Sequence, residues 1–263
     1  MELYKICDQK LQYLRYSENT SKIYLHFIDE FLQKIGKHYT RINSSDLKQY
    51  LNNYNYSSGS QQNQVISALK FMWMKCLGKK YIKVDFKRPR GDKKLPRVID
   101  MNLLIDRINE IKNLKHKAIL SIGASVGLRV SEVINLKISD IDSDRMIINV
   151  RNGKGRKDRI VPLSEKLLNT LREYFKIYKP KTYLFNGQDR FNYSPGSCNK
   201  IIKKYIGEGL HFHLLRHSCF TYLAEKGVDI SIIQKIAGHT SIKTTTIYLH
   251  LSNKSLKSLP LPI

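Results

Sequence analysis

The chain has 263 residues, enough for about two domains with separate hydrophobic cores. Its 46 Lys and Arg residues against 22 Asp and Glu give a net charge of +24, spread over the whole sequence. This excess indicates a polyanionic partner, most simply a nucleic acid, and leaves ribosomal, RNA-binding and DNA-binding proteins open.

The number and spacing of the cysteines, together with the hydropathy of the sequence, indicate the cellular compartment of the protein. The four cysteines are far apart, without a CxxC pair or the density of a disulfide-rich domain. The sequence opens without a long apolar run, and no segment reaches the roughly 18 apolar residues of a membrane span. We therefore expect a cytoplasmic protein in a reducing compartment, with no membrane partner.

Residues 1–83 are predicted to form a helical domain. Apolar residues recur there at spacings of three and four, which is the pattern of helices with one buried face. The second helix is expected to begin at Asn19 or Thr20 and to end at Gly36. A later helix is expected to follow the polar turn SSGSQQ.

Residues 84–98 are predicted to be an extended basic linker, because Pro89, Gly91 and Pro96 interrupt a run of Lys and Arg. Such a linker either is solvated or lies along a phosphate backbone between two domains. The residues proposed to contact DNA here are Lys87, Arg88, Arg90, Lys93 and Lys94.

Residues 99–263 are predicted to mix helices with a β-hairpin. Helical apolar stripes begin at Met101 and at Ala118, and the second stripe runs up to Gly127. The elements predicted after them are a strand at 146–150, a strand at 159–163, a helix at 165–178, a strand at 183–185 and a helix at 196–206.

Arg129 and Glu132 lie three residues apart at the start of a predicted helix. A local salt bridge is the simplest interpretation of such a pair. However, Arg129 follows an apolar helix and a glycine, so it is expected near the core, where a carboxylate would be needed to hold it. An oriented, buried guanidinium is a good phosphate ligand.

The predicted hairpin has the basic tip Gly-Lys-Gly-Arg-Lys at 153–157. A solvated turn is the default interpretation. Because the sequence has no GxxxxGK[ST] pattern, a nucleotide-binding P-loop is not expected. The alternative is that Lys154 reaches into a DNA groove and donates a proton, with Arg156 and Lys157 contacting the backbone.

Residues 211–250 concentrate the side chains suited to phosphate chemistry. His213 and Arg216 are three apart, so they can share one helix face as a two-donor clamp. Gly238 is expected to end the next helix and to leave His239 in the turn, and Ser241 or Thr240 is expected to cap a last short helix that carries the nucleophile candidate described next.

Tyr248 is a candidate nucleophile, although a lone tyrosine among the 16 of this chain is more simply interpreted as a core residue. Zinc binding by His213, His217 and Cys219 is an alternative use of this segment. It is disfavoured because the HExxH glutamate is missing and no acidic cluster accompanies these residues.

The motifs GLRVSE, GKGRKDRIVPL, HLLRH and GH…TTTIYLH, in this order and spacing, resemble those of the tyrosine recombinase, or phage integrase, family. The resemblance implies a mostly α fold with a small β-sheet. It implies an N-terminal helical, SAM-like core-binding domain at 1–83, the linker at 84–98, and an α+β catalytic domain at 99–263. We expect no additional N-terminal arm-binding domain, and therefore a simple or Xer-like recombinase.

The resemblance also implies roles for individual residues. Arg129 and Arg216 would clamp the scissile phosphate, and Glu132 would support them. His213 and His239 would complete the pocket. The general acid and the nucleophile would be Lys154 and Tyr248, with no metal ion and no cofactor.

The implied partner is double-stranded DNA, bound by four copies of the chain with two copies on each site. The implied reaction is strand cleavage and rejoining through a 3′-phosphotyrosyl link. Two alternatives stay open: DNA relaxation of the type IB topoisomerase kind, and a DNA-binding regulator without catalysis. The sequence does not give the target site, the outcome of recombination, or whether residues 256–263 dock on a neighbouring copy.

Overall fold

The computed structural model describes residues 2–79, 88–89, 96–151, 158–187 and 192–251. The chain divides into two compact units, Met1–Lys93 and Lys94–Ile263, and each has its own hydrophobic core. Most of the predicted linker lies outside the described residues, so its limits at 84 and 98 stay a prediction. In the described part of the chain, no helix combines the length and apolarity needed to cross a membrane.

All the secondary-structure elements described in the first unit are helical. Its α-helices bury apolar residues of one face each, as the spacing predicts. They are α1 (Glu2–Tyr13), α2 (Glu18–Ile35), α3 (Ser44–Asn53) and α4 (Gly59–Phe71), with a 3-10 turn at Tyr39–Arg41 and a π-helical segment, Met72–Cys76, that continues α4.

The predicted helix ends in this unit are partly right. Gly36 ends α2 in the left-handed conformation (φ 61°), as expected, but the cap at the other end is Ser17 and not Asn19 or Thr20. The Ser17 side chain accepts a hydrogen bond from the Thr20 backbone N–H at 3.2 Å, so the helix starts earlier. Ser58 caps α4 in the same way, and most of the polar stretch SSGSQQ therefore belongs to the helix.

The second unit contains nine described α-helices and one small sheet. The helices before the sheet are α5 (Met101–Asn109), α6 (Leu114–Val126) and α7 (Val130–Asn135). Those after it are α8 (Glu165–Tyr178), α9 (Pro195–Tyr205), α10 (His213–Glu225), α11 (Ile230–Ala237), α12 (Ile242–Thr245) and α13 (Ile247–Leu251). α10 is central, because it packs against α5, α6, α11 and α13.

The sheet is antiparallel with the order β1 (Ile141–Asp142), β2 (Ile147–Val150) and β3 (Arg159–Pro162). β2 and β3 are the two strands of the predicted hairpin, paired so that Val150 lies opposite Arg159. β1 was not predicted, because two residues are too short to show an alternating pattern.

Two predictions about the second unit are wrong. Residues 183–185 do not form a strand: Tyr183 makes a single bridge to Lys137, and Leu184 and Phe185 are core residues. The last predicted helix is two short ones, since α12 ends at Thr245 and Tyr248 lies on α13. The expected cap Ser241 does precede α12, but without a side-chain hydrogen bond to the helix.

Candidate active site

The second unit brings together four residues that are far apart in sequence. Arg129 lies between α6 and α7, and Arg216 lies on α10. His239 follows the end of α11, and Tyr248 lies on α13. Because α10 packs against α6, α11 and α13, all four side chains meet around it.

Arg216 is the most deeply buried charged residue of the site, with 1% of its surface exposed. Its Nη1 donates to the Gly127 carbonyl at 2.7 Å and its Nη2 to the Ala237 carbonyl at 2.6 Å. The guanidinium also lies 4.8 Å from the centre of the Phe220 ring. Burial, together with the charge of Arg129, lowers the pKa of Arg216 to about 10, so it stays charged at neutral pH.

Two glycines shape the chain around Arg216. Gly127 and Gly238 end α6 and α11, both in the left-handed conformation (φ 62°). A side chain at Gly127 would also meet the Phe220 ring at 2.7 Å. Glycine is therefore required at position 127 both for the backbone conformation and for the close approach of α10.

Glu132 is the carboxylate that holds Arg129, as the sequence predicted. Arg129 Nη1 donates to Glu132 Oε1 at 2.8 Å, and the Arg129 backbone N–H donates to Oε2 at 2.8 Å. The Glu132 side chain is only 4% exposed. The pair is therefore not a surface salt bridge, and the carboxylate fixes both the side chain and the start of α7.

Arg159 also binds Glu132, and this contact was not predicted. Its Nη1 and Nη2 donate to the two carboxylate oxygens at 2.8 and 2.9 Å. Burial alone raises the pKa of Glu132, but the hydrogen bonds and charges of Arg159 and Arg129 outweigh it and hold this pKa at about 2. The signal in the sequence is the strand period: Arg159 is two residues from the buried Val161, so it points toward the core.

His239 lies between Arg216 and a threonine of α12. Its Nε2 is 3.0 Å from Arg216 Nη2, and its Nδ1 is 2.9 Å from Thr245 Oγ1. Because a guanidinium only donates, Nε2 accepts and the proton of a neutral ring is assigned to Nδ1, which donates to Thr245. Thr245 is fully buried and was not among the predicted site residues.

Tyr248 is 2% exposed and is surrounded by aromatic rings of the site. Its ring centre is 5.4 Å from that of Phe220, 5.8 Å from His217 and 6.3 Å from His239, to which it is nearly parallel. Burial raises the pKa of Tyr248, although the positive charge of Arg216 acts in the opposite direction. Its hydroxyl is therefore protonated at neutral pH and needs a proton acceptor to react.

His213 is exposed at the start of α10, although the packing around its ring desolvates it partly. This desolvation and the charges of Arg216 and Arg129 lower the pKa of His213, so the ring is neutral near pH 7 and can accept a proton. It is thus on the same helix as Arg216, but it does not share the burial of that residue.

The next histidine, His217, has a pKa of about 4, mainly because of burial. The His213 and His217 rings lie edge to face with centres 4.6 Å apart. Cys219, the third candidate zinc ligand, points its thiol at the Ser125 carbonyl at 3.5 Å. The described residues contain no group of three or more potential metal ligands.

Several predicted residues cannot be placed in the site. Arg88 is described, and its guanidinium donates to Asn63 Oδ1 at 3.1 Å and to Ser67 Oγ at 3.3 Å, both on α4. Its contact with DNA stays a prediction. The residues that lie outside the described ranges are Lys87, Arg90, Lys93, Lys94, Lys154, Arg156 and Lys157.

The chain matches two family descriptions along most of its length. Residues 98–255 match the phage integrase family. Residues 3–83 match the phage integrase N-terminal SAM-like domain. Together these matches cover both units.

Curated relatives are similar to nearly the whole chain. A tyrosine recombinase of Thermosipho africanus is 33% identical over 260 residues, which is 91% of this chain and 91% of the relative. Tyrosine recombinase XerA of Pyrococcus horikoshii is 35% identical over 250 residues, or 92% of this chain and 86% of the relative.

Solved structures show the same architecture. A crystal structure of XerA recombinase matches 97% of this chain and 95% of its own, with 31% identity and a TM-score of 0.57. XerH site-specific recombinase bound to a palindromic difH substrate, a post-cleavage complex, matches 91% of this chain and 77% of its own. Its identity is 23% and its TM-score 0.73, which indicates a common fold.

Proposed function

The chain belongs to the phage integrase family, and from that premise we propose that it is a site-specific DNA recombinase that cleaves and rejoins strands through a 3′-phosphotyrosyl intermediate. One observation carries the proposal: Tyr248 is buried against His239, which in turn contacts the buried Arg216. A phenol held beside a fixed guanidinium can attack a phosphate that the guanidinium binds.

In the proposed mechanism, Arg129 and Arg216 bind the non-bridging oxygens of the scissile phosphate. Arg129 and Arg159 share the single buried Glu132 carboxylate, and Arg216 adds a third guanidinium, so the pocket keeps an excess of positive charge. Attack by the tyrosine oxygen adds negative charge to the phosphorus centre. The arginines, fixed before the reaction, stabilise this charge without reorganisation.

The proposed proton transfers are those that the family resemblance implies, and the directions of the His213 and Tyr248 pKa shifts support them. His213, neutral near pH 7, accepts the proton of Tyr248. The Tyr248 oxygen forms a bond to phosphorus while the bond from phosphorus to the 5′-oxygen breaks, and Lys154 gives that leaving oxygen a proton. One phosphodiester replaces another, so the reverse attack by a 5′-hydroxyl rejoins a strand without ATP.

His239 is proposed to hold the phosphate pocket together. Its contacts with Arg216 and Thr245 fix the ring between α10 and α12. Because Arg216 also bonds to the carbonyl that precedes Gly238, the guanidinium and the imidazole are positioned by the same turn. His239 is therefore expected to set the orientation of Arg216 toward the phosphate.

The proposed partner is double-stranded DNA, and the proposed assembly is a tetramer with two copies on each site. The net charge of +24 supports phosphate binding. The XerH complex contains a palindromic substrate, and a palindromic site is matched by two copies of a protein related by a two-fold axis. Joining two such sites requires four copies. We also propose that the protein works in the cytoplasm and that residues 84–98 are the linker between its two units.

The test uses nicked DNA duplexes whose two half-sites carry random sequence. Cleavage near the nick releases a short fragment, so the covalent adduct between protein and DNA accumulates. The adduct can be isolated in detergent, and its DNA can be sequenced. Wild-type protein is expected to select one family of duplexes. Mass spectrometry of the adduct should place the phosphate on Tyr248.

Tyr248→Phe should form no adduct while binding the selected duplex as the wild type does in a gel-shift assay. Tyr174→Phe is the matched control, because Tyr174 is also buried and its hydroxyl donates to the Leu184 carbonyl at 2.9 Å. That variant should keep adduct formation. Adducts that persist in Tyr248→Phe would show that another residue is the nucleophile, and relaxation of supercoiled plasmid without sequence preference would favour a topoisomerase.

A further inference from the structure

We infer that Arg159 is a positioning residue for the phosphoryl transfer: it links the carboxylate that orients Arg129 to the turn that orients Arg216, and so holds both phosphate-binding guanidinium groups in register. The inference rests on the proposed function. It adds to the proposed active site a residue on β3, whereas the pocket arginines lie between helices and on α10.

The first half of the link runs through Glu132. Arg159 donates from Nη1 and Nη2 to the two carboxylate oxygens at 2.8 and 2.9 Å, and Arg129 Nη1 shares Oε1 at 2.8 Å. A two-point contact fixes both the position and the rotation of a carboxylate plane. Arg129 is therefore aligned by a carboxylate that is itself aligned by Arg159.

The second half of the link runs through the end of α11. Arg159 Nε donates to the Ile236 carbonyl at 2.7 Å. The next carbonyl, that of Ala237, accepts the Arg216 Nη2 bond at 2.6 Å. Displacement of this helix end would therefore move the acceptor of Arg216 together with His239, which follows two residues later.

The Gly238 turn is built around the Arg159 side chain. A Cβ atom at Gly238 would lie 3.1 to 3.3 Å from the Arg159 Cδ, Nε and Cζ atoms. The turn and the guanidinium thus pack so closely that a larger residue would have to displace one of them. Arg129 Nη2 reaches the same turn, at 3.5 Å from the Gly238 carbonyl.

The role inferred for Arg159 is to act through other residues, because its guanidinium is engaged by the Glu132 carboxylate and the Ile236 carbonyl. Each of its three guanidinium nitrogens already donates to a protein oxygen, and the side chain is 11% exposed. Its place is fixed by the sheet, where Arg159 pairs with Val150 in the β2–β3 ladder. A charged side chain held by a carboxylate and a strand in this way is suited to alignment.

The test compares two substrates for each protein. One is the duplex selected by the wild type. The other is the same duplex with a methylphosphonate at the cleaved linkage, which replaces one non-bridging oxygen by a methyl group and removes the charge that the arginines neutralise. A residue that only aligns those arginines matters less on the neutral substrate.

Arg159→Ala is expected to slow adduct formation on the phosphate substrate about 100-fold, the effect of misplacing reacting groups by about 1 Å. On the methylphosphonate substrate, the ratio of wild-type to variant rates should fall below about 10. Arg159→Lys keeps the charge but not the two-point contact, so its rate on the phosphate substrate should lie between those of the wild type and Arg159→Ala. For each protein, the ratio of its rates on the two substrates is independent of how much of the preparation is folded, so this ratio is the quantity compared between variant and wild type.

Arg107→Ala is the matched control, because Arg107 also donates from Nη1 to a carbonyl at a helix end, that of Ile206. It should keep the wild-type rates on both substrates. The inference is overturned if Arg159→Ala reacts as fast as the wild type, or if it is slowed equally on both substrates, as a general loss of structure would cause. If the wild type forms no adduct with any duplex, the proposed function fails first, and the inference fails with it.

Discussion

Replacing Glu132 by glutamine removes the negative charge between Arg129 and Arg159 while keeping the shape of the side chain. The Glu132 pKa of about 2, against an ordinary value of 4.5, means that the folded protein favours the carboxylate by about 3 kcal/mol. Because this side chain is 4% exposed, solvent screens the interaction little. Glu132→Gln should therefore lower the free energy of unfolding of the second unit by about 3 kcal/mol near neutral pH.

The effect has a defined pH dependence. A carboxylate whose pKa is lowered in the folded state contributes its stability above the unfolded value of 4.5, and this contribution is lost as the pH falls toward about 2. The difference between wild type and Glu132→Gln should thus be constant from neutral pH down to about 4.5 and shrink below it. Glu165→Gln, which removes an exposed carboxylate in the first turn of α8, should show a much smaller difference.

The assay can separate the two units. Trp73 is the only tryptophan of the chain and lies in the core of the first unit. Its fluorescence in a urea titration reports that unit, whereas far-ultraviolet circular dichroism reports the helices of both. Glu132→Gln should shift the circular dichroism transition of the second unit to lower urea. An unchanged circular dichroism transition would refute the role of Glu132 as the carboxylate that the two arginines stabilise.

Three further predictions concern the reaction. Thr245→Val removes the hydrogen-bond partner of His239 Nδ1, so adduct formation should be about fivefold slower in a quenched time course, equivalent to about 1 kcal/mol. Arg216→Lys cannot reach both the Gly127 and Ala237 carbonyls with one ammonium, and single-turnover measurements should show a loss of at least about 100-fold. The pKa of His213 is lowered from 6.5, that of Tyr248 is raised from 10.0 and that of Arg216 is about 10, so the cleavage rate should vary little between pH 6.5 and about 9. A steep rise across this range would show that the tyrosine ionises before it attacks.

Periodic patterns predicted most of the helices, because each helix repeats its apolar signal over several turns. The ends marked by Gly36, Gly127 and Gly238 were predicted correctly, since a left-handed residue at a helix end favours glycine strongly. Short elements were predicted poorly. β1 has two residues, and the split between α12 and α13 falls within a few residues, so neither gives a pattern to detect.

The sequence singled out Arg129, Arg216, His239 and Tyr248, and the fold brings these four side chains together, while their catalytic roles stay a prediction. Their supports were largely missed. Arg159 and Thr245 have ordinary sequence surroundings, and their importance follows from tertiary contacts across 27 residues to Glu132 and six residues to His239. The acceptors of Arg216 are main-chain carbonyls, which no residue type reveals. A sequence therefore indicates the reactive groups better than the groups that hold them.

The main-chain acceptors of Arg216 bear on how such a protein can diverge. The Gly127 and Ala237 carbonyls at the ends of α6 and α11 are supplied by the path of the chain, and every amino acid has one. The outer faces of these helices can accumulate substitutions without removing a partner of the guanidinium, provided that the helices still end at the same place. Substitutions that change DNA preference or surface contacts can therefore occur without removing the partners of Arg216. Related proteins can acquire new target sites in this way while the proposed active site keeps its contacts.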